Sequence, residues 1–383
     1  MKSLRIESVQ TEADQHAFMR LPWRVYEDDP YWVPPFFSEM MALMDEEHHP
    51  FYEHAEVEFF LARRGDEVVG RIAAFTNHRH NEFQGENIGF FGFFEVLDDP
   101  EAAQTLLDRA ETWARDHGHE AIRGPAQFST NEECGLLVDG FDDLPRIFMT
   151  YNPPRYIKLI EDAGFEKAMD LWAWAVRTDI FESGKKFPKK LVRVVKKVEK
   201  RGKINIRKMR MRDFDAELEM VKQLYNTCWA KNWGFVPLTD AEIDKLGKEL
   251  RPLLDPDLVL VAEIDDQPVG FSLTLWDLNQ PLHAAYPHPD EPELWTKIKF
   301  AWQWKVRRRT NWVRVFTLGV LPEHRGRGID ALFYYYTAVE ALRKGIEFAE
   351  MSWILENNDM MNRGIELMGA EVYKTYRFYE KKL

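Results

Sequence analysis

The sequence predicts an α/β fold of the α+β kind, a mixed sheet flanked by helices, built twice in tandem. Three observations carry that expectation. The chain has 383 residues, too many for one compact core, so two domains are the default. An order of strand, two helices, three strands, helix, strand, helix and strand runs through the first half. It recurs after about 170 residues, far beyond the period of a solenoid. Near the end, an apolar run at 313–321 meets a helical run at 331–343 through Arg325-Gly326-Arg327-Gly328-Ile329.

The elements follow from local chemistry. Residues 4–9 alternate as a short strand does, and 12–26 have helical spacing. A Pro- and Trp-rich loop at 28–35 comes next. Strands at 57–62 and 68–76 are joined by Arg64-Gly65-Asp66, a hairpin signal. Residues 88–96 are an apolar strand. Asp98-Asp99-Pro100 then opens an amphipathic helix over 101–117, ended by Gly118. A strand at 121–128, a helix at 156–163 closed by Gly164 and a strand at 170–177 complete the first half. The second half repeats the order. It has a strand at 204–210, helices at 216–232 and 240–254, and a strand pair at 258–264 and 269–276. A Pro- and His-containing loop at 279–292 and a helix at 294–309 precede the strand at 313–321. The helix at 329–344, the strand at 348–355, the helix at 360–368 and the strand at 371–380 follow. The expected domains are 1–180 and 204–383.

The connecting segment, 181–203, is strongly basic. Residues 184–203 hold ten Lys or Arg against the single acid Glu199. Leu191, Val194, Val195 and Val198 share one helical stripe among these cations. Two readings fit: a linker helix with a solvated face, or a basic helix in peripheral contact with an anionic membrane.

The turn at 325–329 carries the most specific chemistry. Gly326 and Gly328 permit positive φ and close approach of an anion. Successive amides and the positive end of a helix then face one spot, which suits a phosphate. A dinucleotide turn needs a third glycine at the correct spacing, and a P-loop needs Lys followed by Ser or Thr. Neither is present. The segment Val320-Leu321-Pro322-Glu323-His324-Arg325-Gly326-Arg327-Gly328-Ile329 resembles the signature of the GCN5-related N-acetyltransferase superfamily, Gln/Arg-x-x-Gly-x-Gly/Ala after a strand ending in Val-x-Pro. Glu356-Asn357-Asn358 after the fifth strand and Met368-Gly369-Ala370 before the last one also fit that pattern. The resemblance covers roughly the last 180 residues well and the first half by topology only.

It implies two tandem domains of that family, each with a mixed, mainly antiparallel sheet. It also implies acetyl-coenzyme A or a longer acyl-coenzyme A as co-substrate, held by Leu318, Val320, Arg325, Gly326, Arg327, Gly328, Ile329 and Asn358. The reaction implied is direct attack of an amine on the thioester, with fourth-strand amides polarising its carbonyl. Two positions depart from the family. Asp330 stands where Gly or Ala is preferred, and its carboxylate repels a phosphate. Ile365 stands where members often carry a tyrosine acid, and the fourth strand offers no glutamate as base.

In the first half the equivalent turn reads Val96-Leu97-Asp98-Asp99-Pro100-Glu101. Its carboxylates oppose a pyrophosphate and Pro100 removes an amide, so this half is expected not to bind coenzyme A there. Its loop Ser129-Thr130-Asn131-Glu132-Glu133-Cys134-Gly135 offers Glu132 or Glu133 as base and Cys134 as nucleophile. The same letters also fit a helix N-cap with first-turn acids. Tyr376 on the last strand is a third catalytic candidate, and Tyr151 to Tyr156 a possible site wall. Dense aromatics at Phe90, Phe91, Phe93, Phe94, Trp172, Trp174, Phe333 to Tyr336 and Tyr373 to Tyr379 fit either core and the contact between the two halves or a greasy acyl channel.

Composition bounds the partners. A net charge of −13 argues against nucleic acid, and so against a tRNA-dependent aminoacyl transferase of tandem form. Two distant cysteines and no apolar leader suit a cytoplasmic chain. The histidines lack companion ligands at metal-binding spacing, so no metal is expected. The acceptor is then a small-molecule or lipid amine. The competing class is a non-catalytic binding module on the same fold.

Overall fold

A computed structural model describes residues 2–178 and 187–383. The first half contains β1 (Leu4–Ser8), α1 (Glu12–Arg20), α2 (Pro22–Val25), α3 (Phe37–Ala42), β2 (Ala55–Arg64) and β3 (Glu67–Asn77). It continues with α4 (His78–Gln84), β4 (Ile88–Val96), α5 (Pro100–Asp116), β5 (Ala121–Gly124), β6 (Leu136–Asp139), α6 (Arg155–Asp162) and β7 (Glu166–Arg177). The second half holds α7 (Lys189–Arg201), β8 (Asn205–Lys208), α8 (Phe214–Cys228), α9 (Asp240–Leu250), β9 (Val259–Ile264) and β10 (Gln267–Trp276). Then come α10 (Asn279–Ala285), α11 (Glu293–Ala301), β11 (Trp312–Val320), α12 (Ile329–Arg343), β12 (Phe348–Leu355), α13 (Asp359–Glu366) and β13 (Glu371–Lys382).

Two compact units result, and they divide the chain differently from its sequence halves. Unit 1 comprises 1–171, 278–309 and 374–383; unit 2 comprises 172–277 and 310–373. Hydrogen bonding explains the difference. β13 pairs antiparallel with β5, Tyr379 opposite Gly124 and Lys382 opposite Ala121. The last strand of the second half therefore completes the first unit's sheet, ordered β1-β2-β3-β4-β5-β13. In exchange, the later part of β7 borders β12 in the second unit's sheet, ordered β7-β12-β11-β10-β9-β8.

Among the strand pairs whose register is described, all are antiparallel except one in each unit, β4 with β5 in unit 1 and β11 with β12 in unit 2. In unit 1, α5 starts at the N-cap Asp99 with Pro100 behind it. It buries Leu106, Leu107, Ala110 and Trp113 against Phe60, Ile72, Phe91 and Ile122. Each large side chain buried there stabilises by roughly 1.5–3 kcal/mol. In unit 2, Ile329 and Phe333 of α12 pack on Leu260, Ala262, Val269 and Val320 of the sheet.

Several local expectations change. The strand expected over 121–128 stops at Gly124, and Ala126 makes only an isolated bridge to Cys134. No helix follows Ser129, so the capping alternative fails there; the chain turns back into β6 instead. The loop expected at 279–292 begins with α10, and the 294–309 helix widens into a π turn at Trp302–Val306. The aromatics of β4 are core: Phe90 stacks on Phe75 at 5.5 Å between centroids, and Phe91 is fully buried. Of the basic segment, 187–203 lies within the described residues, and its apolar stripe is already covered. Val195 and Val198 pack on Leu332, with Tyr335 and Tyr336 beside them. No helix among the described residues is long and apolar enough to cross a membrane. No group of three or more potential metal ligands occurs among them either.

Candidate active site

The central parallel pair of unit 2 opens partway along. Trp312, Val313, Arg314 and Val315 face Phe348, Ala349, Glu350 and Met351, and the parallel register ends there. β11 continues to Val320 against β10, while β12 runs on to Leu355. The β10–β11 register also slips at this point. Thr317 faces Leu273 and Val315 faces Thr274, so Phe316 is an extra residue, a bulge on β11. A wedge with irregular backbone on one wall is the outcome.

A buried polar knot marks where the wedge begins. Arg314 is 3% exposed and Glu350 fully buried. Their charges lie 3.8 Å apart across the strands. Arg314 Nε donates to Ser352 Oγ at 2.8 Å, while Ser352 and Tyr373 hydroxyls donate to the Glu350 carboxylate. A charge pair of this kind fixes register, because losing either partner strands the other in apolar surroundings.

At the far end of β11 lies the glycine turn. Pro322–His324 form a 3-10 turn, then Gly326 and Gly328 take φ of 70° and 87°. α12 starts at Ile329 with no side-chain cap. Its first amides have no partner further back in the helix, and the dipole adds positive potential. A Cβ on Gly328 would lie 2.8 Å from Val198 Cγ2, whereas one on Gly326 meets nothing within 4 Å. Gly328 is thus constrained by φ and by α7, while Gly326 faces open space. Arg325 braces the turn: Nε donates to the Val320 carbonyl at 3.1 Å and Nη2 to the Cys228 carbonyl at 2.6 Å. Burial pushes the Cys228 thiol up to about 12, so that sulfur stays protonated beside the turn. Arg327 is exposed, and so are Lys196, Lys197 and Lys200 on α7.

The wall opposite is α13. Asn358 caps it, its Oδ1 accepting from the Met361 amide at 3.3 Å. Ile365 is 1% exposed and belongs to the core with Trp174, Val176 and Met351. A phenol approaches this helix from α12 instead. Tyr334 Oη lies 3.0 Å from Met361 Sδ, and its ring 3.7 Å from where a Gly364 Cβ would be. Burial, then the Asp330 charge, raises the Tyr334 phenol well above its ordinary range, so it holds its proton.

The other sequence candidates belong to unit 1. Glu132 and Glu133 sit in the short turn between Ala126 and Cys134; Gln127 N donates to the Glu133 carbonyl at 2.9 Å. Cys134 is 3% exposed. Tyr376 is fully buried, and its Cβ lies 3.1 Å from where a Cβ on Gly135 would be. The structure brings Tyr376 to the base of that loop. Leu318 to Ile329 assemble separately in unit 2.

Three groups escaped the sequence reading. Arg314 and Glu350 are one. Tyr334 is another. The third is Glu95 on β4, which accepts from Tyr26 and Tyr156 hydroxyls at 3.0 and 2.8 Å. Desolvation raises that carboxyl, with Arg71 pulling the other way. In each case the available signal was a charged or phenolic residue inside an otherwise apolar run.

No family model matches the chain. Protein YghO of Escherichia coli is 35% identical over 377 residues, covering 97% of this chain and 93% of that protein. The bacterial ceramide synthase of Caulobacter vibrioides is 34% identical over 385 residues, covering 99% and 98%. Among solved structures, a tandem GNAT protein from the clavulanic acid pathway aligns with a TM-score of 0.56 at 13% identity, covering 99% of this chain and 98% of that one. At that identity the likeness bears on the fold alone. The chain belongs to the family that contains YghO and the bacterial ceramide synthase, and it has the fold of the tandem GCN5-related N-acetyltransferases.

Proposed function

We propose that the protein is an acyl-coenzyme A-dependent N-acyltransferase, that unit 2 takes the donor, and that the acceptor is the amine of a long-chain base. The observation that carries this reading is the uncapped, glycine-lined start of α12 at the end of a strand that has parted from its neighbour. That arrangement suits a pyrophosphate at the turn and a narrow arm running into the wedge. The donor fits the residues present: Gly326 faces open space, Gly328 takes the positive φ the turn needs, and the first amides of α12 supply the donors.

The amine nitrogen attacks the thioester carbonyl carbon, the C–S bond breaks, and the nitrogen loses a proton. This chain's part is to hold the donor by the turn and to return a proton to the leaving sulfur. Tyr334 is the residue we assign to that proton, since it is phenolic, protonated and placed between α12 and α13. For the acceptor, support comes from the 34% identity to a ceramide synthase over almost the whole chain. A ceramide is a long-chain base whose amine carries a fatty acyl group.

Calorimetry with acetyl- and palmitoyl-coenzyme A tests the reading directly. Binding of the palmitoyl thioester, tighter than the acetyl one, is expected. Absence of heat with both would leave a binding module as the function of this fold.

A further inference from the structure

Residues 293–306 of unit 1 hold an unusual amount of apolar surface in water. α11 and the π turn after it form one continuous helix. Its inner side is committed. Thr296 is 1% exposed, Phe300 meets Phe36 edge-on at 5.8 Å, and Glu293 accepts from the Ser38 hydroxyl at 2.6 Å. Its outer side is bare. Leu294, Trp295, Ile298, Trp302 and Val306 are 69%, 61%, 50%, 55% and 57% exposed. Leu294, Ile298 and Trp302 follow at four-residue intervals, and Trp295 adjoins that stripe. Single exposed hydrophobics need no explanation, but five on one helix face do. A groove of ≈ 520 Å³ runs between Pro292, Trp295, Ile298 and Trp302.

The charges around this stripe have one sign on balance. Lys297 and Lys299 border it, Lys297 paired to Glu293 on the inner side and Lys299 to Glu291, which itself lines the groove. Lys305, Arg307, Arg308 and Arg309 follow, all exposed. Among the described residues no carboxylate lies within ion-pair distance of the three arginines. They stand out in a chain of net charge −13. Tryptophan and basic side chains around an aliphatic stripe match the boundary between acyl chains and anionic head groups. A second copy of this chain fits less well, because a twofold contact through this face would set two arginine clusters against each other.

We propose that the 293–306 helix docks the protein on an anionic lipid bilayer, with Leu294, Ile298 and Trp302 among the acyl chains and the cations at the head groups. The basic helix α7 cannot serve in this way, since its own apolar stripe is packed on α12. The proposal goes beyond acyl transfer and does not depend on it.

Sedimentation of the full-length protein with vesicles tests it. Binding to phosphatidylcholine mixed with phosphatidylglycerol, with a blue shift of tryptophan emission, is expected, and much weaker binding to phosphatidylcholine alone. Trp295→Ser with Ile298→Ser and Trp302→Ser should lower the partition by about tenfold or more. Trp295→Phe with Trp302→Phe should retain it. Arg307→Glu with Arg308→Glu and Arg309→Glu should remove the preference for anionic lipid. Lys189→Glu with Lys190→Glu and Lys197→Glu should leave binding as it is. The proposal is overturned if the native protein ignores mixed vesicles, or if the serine variant binds them as well as the native protein does. It is also overturned if sedimentation velocity shows native dimers that the serine variant dissolves, which would give the face to a second copy.

Discussion

The β4–α5 junction of unit 1 and the β11–α12 junction of unit 2 occupy the same place in a duplicated fold. In unit 1 the protein supplies its own anion there. Asp99 accepts from the Ala102 amide at 3.1 Å and from Arg64 Nη2 at 2.9 Å. In unit 2 the cap residue is Gly328, which has nothing to offer. The strands differ likewise. Past the last parallel pair of unit 1, Phe90 with Arg123, the Ala126 amide still donates to the Phe91 carbonyl at 3.0 Å. Gly92 makes that approach possible, since a Cβ there would lie 1.7 Å from the Ala126 oxygen. Past Val315 with Met351 the strands of unit 2 part. The open junction of unit 2 thus arises from three omissions: a side chain, a cap and a run of strand pairing.

The strongest way to break this contrast is to give unit 2 the solution found in unit 1. Gly328→Glu places a carboxylate at the start of α12 and drives a Cβ toward Val198 at 2.8 Å. Acyl-coenzyme A affinity should fall about a hundredfold or more, from charge repulsion and loss of the cradle. Calorimetry reads this, and adding Arg325→Ala should abolish binding. Unchanged affinity would put the pyrophosphate elsewhere. The reciprocal Asp99→Gly should create no site in unit 1, because Pro100 lacks the needed amide.

Next in size is the knot at the base of the wedge. Arg314→Ala leaves Glu350 buried without its charge partner, a loss of about 3–5 kcal/mol. Urea unfolding should show it as a lower midpoint. Arg314→Met with Glu350→Leu should recover much of that loss. A single variant as stable as the native protein would mean that the register is held by something other than this pair.

How far the sequence reached follows the same division. Residues 313–344 were readable because an apolar strand, two glycines and a helix are each local signals. The uncapped turn could be inferred from letters alone. The wedge could not, since it depends on where β11 and β12 stop pairing. The exchanged strand β13 was hidden for a similar reason: 371–380 reads as a strand whichever sheet it joins. Charges such as Arg314, Glu350 and Glu95 read as interruptions of apolar runs until their partners, distant in sequence, are placed. Ile365 announced a missing tyrosine, yet nothing in the 329–344 periodicity said that Tyr334 turns toward α13.

Tyr334 sharpens the comparison of proton donors. Unit 1 has Tyr156 on α6, but its hydroxyl donates to Glu95. Unit 2 has Ile365 in the core and Tyr334 reaching over from α12. Tyr334→Phe should lower kcat by about tenfold to a hundredfold and leave acyl-coenzyme A affinity nearly as it is. Steady-state rates with calorimetry on the same variant separate the two effects. Equal rates would assign the leaving thiolate's proton to solvent.

The smallest effect expected is in unit 1, where the built-in anion caps the helix start. Asp99→Ala removes a helix cap, worth about 1 kcal/mol, and should lower Tm without touching acyl-coenzyme A affinity. Its pH dependence has a definite sign. The hydrogen bond from Arg64, the largest cause, holds the Asp99 carboxyl below its ordinary 3.8. A depressed carboxylate stabilises the fold above its unfolded pKa, and the contribution disappears as pH falls through the lower folded value. The native protein should therefore lose stability on acidification below about pH 4, and Asp99→Ala should lose less over the same interval. If the two unfolding curves stay parallel through that range, Asp99 is not the anion that satisfies this helix start, and the contrast between a filled and an open junction loses its unit 1 half.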